Sequence, residues 1–171
     1  GGFGLGLGLH VFDQDVLRFL AAQSADLLEP DVLLFDLAVE LLLAPLDALK
    51  LRIAAFFGDV DLWVCKQSFV DAEYILRKAV PITELRSMMA ASLEFLNVAA
   101  PLADQLPDAL ASNWPDLEDC LIAHCARNAR ADFLVTRDTL GFANAPVPVL
   151  TPRGVIERLE GEGISYDEVA L

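Results

Sequence analysis

The 171-residue sequence predicts a three-layer α/β fold with a mostly parallel central sheet of four or five strands. Three observations carry that expectation. Short apolar runs at 31–36, 59–65, 132–136 and 147–150 alternate with stretches of helical periodicity. No hairpin dipeptide joins one run to the next, so the connections are crossovers and the strands parallel. The length suits one domain with a proper core and is too short for two.

Taken in order, residues 1–12 (GGFGLGLGLHVF) stand apart in composition and read as a flexible leader. Their glycines, at 1, 2, 4, 6 and 8, cannot form G-x-G-x-x-G, and no strand precedes them, so a dinucleotide fingerprint is not supported. From Asp13, apolar Val16, Phe19, Leu20, Leu27 and Leu28 recur at helical spacing, giving an amphipathic helix over 13–30 that ends near Pro30. Asp31 to Asp36 reads as a buried strand that finishes on a carboxylate. Helices are expected at 38–44 and 46–57, then a strand from Asp59 to Cys65 with Trp63 in the core. Further helices are expected at 67–79, 82–96, 101–112 and 115–129. The third strand is placed at 132–136 and a fourth at Val147–Leu150, stopped by Thr151-Pro152 before a last helix to about 160. The main domain is thus 31–160, and 161–171 reads as a frayed tail.

Hydrophobic content of 55% and mean hydropathy of +0.46 argue against disorder and leave apolar surface for a partner or a second copy of the chain. No apolar run reaches the roughly 20 residues that span a bilayer. Leu33–Leu49 is interrupted by Asp36, Glu40, Pro45 and Asp47, and no basic residue precedes the apolar start as in a secretory signal. Three cysteines (Cys65, Cys120, Cys125) form no disulfide framework and read as reduced, buried thiols, which with the missing signal predicts a cytoplasmic protein. Cys120 and His124 have a zinc-compatible helical spacing but no second ligand pair, so packing is the expected role. The net charge of −14 argues against tight, non-specific gripping of phosphates, and a divalent cation bound among the acids would offset part of it.

Pro115 to Phe142 (PDLEDCLIAHCARNARADFLVTRDTLGF) is the most informative segment. Asp116, Glu118 and Asp119 open a helix, and a short apolar run ends in Thr136-Arg137-Asp138. Carboxylates at strand ends of an α/β sheet are placed for a ligand rather than the core. Asp36 and Asp138 meet that description, and Asp119 stands at the start of the helix after Pro115. Glu73 joins them from the helix after the second strand, with Asp71 a competitor two residues away. Singly, each has an ordinary explanation: capping for Asp36 and Asp119, a turn for Asp138, a solvated helix face for Glu73. Together they form a candidate metal site, because clustered carboxylates repel unless a cation neutralises them, and Mg2+ and Mn2+ prefer carboxylate oxygen and water. Arg127, Arg130 and Arg137 flank the segment and are candidates for phosphate contact. His10 and His124 lie in the leader and mid-helix, and neither G-x-S-x-G nor a P-loop occurs, so a histidine-based hydrolase is not expected.

LLFDLAVELLL, SFVDAEYILRK, the 115–142 segment and VPVLTPRGVIERL together resemble the PIN domain, a fold of metal-dependent ribonucleases that includes many toxins of toxin–antitoxin pairs. The resemblance covers roughly residues 31–160. It places the family's four acidic positions on Asp36, Glu73, Asp119 and Asp138, a frequent accessory acid on Asp116, and a hydroxyl beside the metal site on Thr136. The chain departs from the pattern in its first motif, Asp36-Leu37-Ala38 instead of Asp-x-Asn, and in Leu42 where one subgroup has a further Asp. The Asn amide that would help orient the first Asp is thus missing. The resemblance implies an Mg2+- or Mn2+-dependent endoribonuclease acting on RNA, toxin-like, paired with an antitoxin, and homodimeric. Asp36, Asp119 and Asp138 are the expected inner ligands, with Glu73 binding directly or through water. The competing expectation is a PIN-like binding or scaffold module with a weakened site. A structure-specific DNA nuclease would need an arch or clamp for which the chain has little room.

Overall fold

A computed structural model describes residues 31–35 and 46–166. The expected leader, the 13–30 and 38–44 helices, Asp36 and Ala38 lie outside the described residues. Five strands form one sheet: β1 (Asp31–Phe35), β2 (Val60–Cys65), β3 (Asn97–Ala99), β4 (Phe133–Val135) and β5 (Val149–Leu150). Their order is β3-β2-β1-β4-β5 and every neighbouring pair is parallel. The helices are α1 (Leu46–Phe57), α2 (Lys66–Leu76), α3 (Ile82–Ser92), α4 (Leu106–Ala111), α5 (Leu117–Asn128) and α6 (Pro152–Gly161).

Strand alternation sends successive side chains to opposite faces, and the core shows it. Leu33, Val60, Leu62 and Val135 pack with Leu51, Ala54, Val155, Ile156 and Leu159 of α1 and α6. Leu134 and Cys65 pack instead with Ile122, Ala123, Cys125 and Ala126 of α5, and half-buried Trp63 leans on that same cluster. Val64, Ala72, Leu76, Leu85 and Met89 join β2 to α2 and α3. Helices thus cover both faces, which is why the buried strands read as apolar runs. Each fully buried Leu or Ile contributes about 1.5–3 kcal/mol of transfer free energy. The three thiols are free and buried as expected, and Cys65 Sγ lies 3.2 Å from Cys125 Sγ, tying the end of β2 to α5.

Local signals set the boundaries. Gly58, at φ +82°, turns the chain from α1 into β2 without the strain a side chain would carry. Thr151 caps α6 by accepting the Gly154 N–H at 3.0 Å, with Pro152 in the first turn where its missing N–H is harmless.

Three expectations need correction. The 82–96 helix stops at Ser92, whose buried hydroxyl donates back to the Met89 carbonyl at 2.7 Å, and the chain goes on to form edge strand β3. Three residues, two of them exposed, leave no strand period to read in the sequence. The 101–112 helix is a 3-10 turn (Ala103–Gln105) followed by the short α4, with Gln105 Oε1 accepting the Leu102 N–H at 2.8 Å. The stretch after Gly161 is not frayed through Tyr166. Ile164 and Tyr166 pack on the α1–α6 core, Tyr166 stacks on Phe57 at 6.4 Å between centroids, and its hydroxyl donates to Asp59.

Candidate functional site

The sheet order creates the site's location. From β1 the chain moves to β2 and β3 on one side, and returns to β4 and β5 on the other, so the switch point lies between β1 and β4. Phe35 lies opposite Val135, so β1 ends one residue before Asp36 and β4 ends one residue before Thr136. The carboxyl ends of these two strands open onto the crevice where α/β sheets bind ligands.

Asp138 is fixed from both directions. Its N–H donates to the Oγ1 of buried Thr136 at 3.0 Å, and its Oδ1 accepts the Gly141 N–H at 2.9 Å. Asp119 arrives from the first turn of α5. Asp116 is the N-cap there: its Oδ1 accepts the Glu118 N–H at 2.7 Å and the Asp119 N–H at 3.3 Å. Asp116 thus holds the helix start that presents Asp119, a structural duty beside the accessory one the resemblance gave it. The two carboxylates converge on Gly141. A Cβ built there would stand 2.6 Å from Asp138 Oδ2 and 3.2 Å from Asp119 Oδ2. Burial pushes the Asp119 carboxyl above its ordinary 3.8, and the nearby Asp116 and Asp138 charges push it further the same way.

The other candidates are placed differently. Glu73 is half-buried on α2 and pairs with Arg86 at 3.5 Å, whereas Asp71 accepts from the Gln67 amide at 3.0 Å on the surface. Among the described residues no three His, Cys, Asp or Glu side chains form a group that could hold a metal ion, so neither Glu73 nor Asp116 closes a three-ligand set with Asp119 and Asp138. Asp36 lies outside the described residues. Arg137 directly precedes Asp138 and is exposed. Arg127 and Arg130 sit at the other end of α5; eight residues of helix put Arg127 about 12 Å along the axis from Asp119. Arg130 takes φ 56° as the chain leaves the helix, and Arg127 contacts His124 Nδ1 at 3.0 Å. His124 is held below its ordinary value by burial and then by Arg127, and Cys120 Sγ meets Ser112 Oγ at 3.7 Å, so that pair packs rather than binds zinc.

Two aspartate carboxylates facing one gap form a hard-oxygen donor pair of the kind Mg2+ and Mn2+ take. Asp119 and Asp138 fit such an ion as two of its ligands. Gly141 is the participant that sequence reasoning missed. Its only signal is position, three residues after the strand-end Asp.

A PIN domain family profile matches residues 33–140. The chain belongs to the PIN domain family. Among solved structures, a protein from Pyrobaculum aerophilum is similar with a TM-score of 0.56 at 16% identity, over 78% of this chain and 91% of that one. A toxin–antitoxin complex from Klebsiella pneumoniae gives 0.53 at 22% identity, over 70% of this chain and 96% of that one. At these identities the likeness is one of fold. No match to a curated protein sequence was found. Among the described residues of this PIN domain, no helix is long and apolar enough to cross a membrane.

Proposed function

We propose that this PIN domain is a metal-dependent endoribonuclease that hydrolyses RNA phosphodiester bonds, and that it is the toxin of a toxin–antitoxin pair. The observation that carries the reading is the convergence of Asp119 and Asp138 at the switch point of the sheet, where Asp36 follows β1. Burial, and then the Asp116 and Asp138 charges, raise the Asp119 carboxyl, and a cation between the acids would relieve that repulsion. Bound there, Mg2+ or Mn2+ would activate a water and offset charge on the phosphodiester. The chain's own part is to hold the acids. Thr136 and the Gly141 N–H fix Asp138, and the Asp116 cap fixes the helix turn that carries Asp119. Glu73 acts from α2 through water, and Arg137 is the arginine placed to meet a phosphate beside the acids. Arg127 and Arg130 reach RNA only where it runs along α5.

The antitoxin assignment draws on the family and on the similarity to the Klebsiella pneumoniae toxin–antitoxin complex. Exposed Val70, Tyr74, Ile75 and Ile82 on α2 and α3 give a protein partner, antitoxin or second copy, an apolar surface to cover. Micromolar light scattering reads the homodimer directly, and a monomer there removes it.

Cleavage of a mixed RNA pool with Mg2+ or Mn2+, run beside Asp119→Ala and Asp138→Ala, tests the activity. Full cleavage by either variant sinks the assignment. Ala38 in place of the motif Asn favours a second reading, a PIN-like binding or scaffold module. Divalent ions that leave the melting temperature unchanged would support that module, since a ligand bound only by the folded state must raise it.

A further inference from the structure

We propose that Gly141 is a positioning residue of the acid pair: its missing side chain is the space across which Asp119 and Asp138 face each other, and its N–H sets which Asp138 oxygen faces that space. The inference rests on the metal-site reading above. Two other glycines, Gly58 and Gly163, have positive φ and nothing within 4 Å of a built Cβ, so they serve the backbone. Gly141 is the reverse. Its φ is not in the left-handed region, while a built Cβ would lie 2.6 Å from Asp138 Oδ2, 3.0 Å from Asp138 Cγ and 3.2 Å from Asp119 Oδ2. The requirement is for room, not for conformation.

The Asp138 carboxylate cannot yield cheaply. Asp138 Oδ1 is held by the Gly141 N–H itself at 2.9 Å, and the Asp138 backbone by buried Thr136 at 3.0 Å. Rotation of the carboxylate away from a new methyl group would break the first bond. Displacement of the whole residue would break the second. On the far side, the Asp116 cap holds the Asp119 backbone, so only a turn of the Asp119 side chain could make room there. The Gly141 N–H occupies Oδ1 and leaves Oδ2 turned toward the gap it shares with Asp119 Oδ2. Glycine at 141 thus does through the backbone what an outer-sphere amide does elsewhere: it orients a carboxylate ligand.

The test uses the full chain and Mn2+ as the probe. Calorimetric titration should show G141A binding Mn2+ about tenfold or more weakly than the unaltered chain, the range expected when a ligand-orienting group is lost. Melting without metal supplies an independent arm. G141A should melt below the unaltered chain, whereas D138A/G141A should melt with D138A, because the carboxylate that the methyl group strikes is gone. Mn2+ affinity within twofold of the unaltered chain overturns the inference. So does a melting loss of equal size in both backgrounds, which marks a backbone effect unrelated to Asp138. If G141A does not fold, folding of D138A/G141A supports the inference and failure of that double variant overturns it. If the unaltered chain takes up no Mn2+, the metal reading falls, and the melting comparison alone decides the role of Gly141.

Discussion

At the amino edge of the sheet Asp59 and Asp61 each face donors, whereas at the carboxyl edge Asp119 and Asp138 face each other. Asp59 accepts from the Tyr166 hydroxyl, and Asp61 accepts from Asn97 Nδ2 at 2.6 Å and Trp63 Nε1 at 3.0 Å. Burial and then Asp59 push the Tyr166 phenol upward, so it stays a donor. These acids are parts of the fold: each ties one segment to another with its charge satisfied. The pair at the other edge has backbone support but shares its gap with like charge, and the Asp119 carboxyl is raised by burial first and then by the Asp116 and Asp138 charges. Carboxylates that meet donors stabilise the fold; the carboxylates that meet each other are the ones proposed to take a cation. Which partner an acid faces separates structure from function here better than its place in the sequence.

The largest expected effect separates the two edges by activity. Asp119→Ala should lower the initial rate of Mn2+-dependent RNA cleavage by about a hundredfold or more, the loss typical of removing a charge-stabilising group. Asp61→Asn should leave that rate within about twofold, since Asp61 touches nothing at the carboxyl edge. A comparable loss in both would erase the contrast.

Stability should run the other way. Tyr166→Phe deletes a partly buried hydrogen bond to a carboxylate and should cost about 1.5–3 kcal/mol in urea unfolding. Asp119→Asn should instead raise stability in the absence of metal, by removing a partly buried charge and its repulsion from Asp116 and Asp138. A loss on Asp119→Asn would mean that this acid is structural after all.

A smaller difference is expected between the arginines. Arg137→Ala should weaken RNA binding several-fold more than Arg127→Ala, and the reverse order would move the substrate path along α5.

The pH dependence should be the smallest effect. A carboxyl raised in the folded state holds its proton more tightly there than in the unfolded chain. The stability it contributes is complete below the ordinary aspartate value of 3.8 and is lost as pH rises through the raised folded value. Without metal, the unaltered chain should therefore lose stability relative to Asp119→Asn across that window. Saturating Mn2+, which binds the deprotonated acid, should reverse the trend. Matching curves for the two chains would mean that neither burial nor repulsion raises the Asp119 carboxyl.

Much of this was legible because the signals are local. Apolar runs ending on acids marked β1 and β4, Asp116 before an apolar-periodic stretch marked the start of α5, and Thr151-Pro152 marked α6. The misses all depended on distant partners. β3 is three residues that become a strand only beside β2, pairing Trp63 with Asn97. Tyr166 lies in a segment with weak local preference, and it is ordered by Phe57 and Asp59 more than a hundred residues earlier. Gly141 had no chemistry to announce it.

The sequence by itself determined that this chain is a parallel α/β protein, that strand-end acids mark one edge of it, and that its motifs resemble the PIN domain. Periodicity, capping and turn chemistry act over a few residues, so they are written in order along the chain. Only the tertiary structure decided which acids meet. Parallel register set the carboxyl ends of β1 and β4 side by side, α5 crossed the sheet to bring Asp119 to Asp138, and the bare backbone of Gly141 left room between them. Those are distances between segments that sequence spacing does not encode, and the charge repulsion that makes the pair a candidate metal site exists only once they are closed.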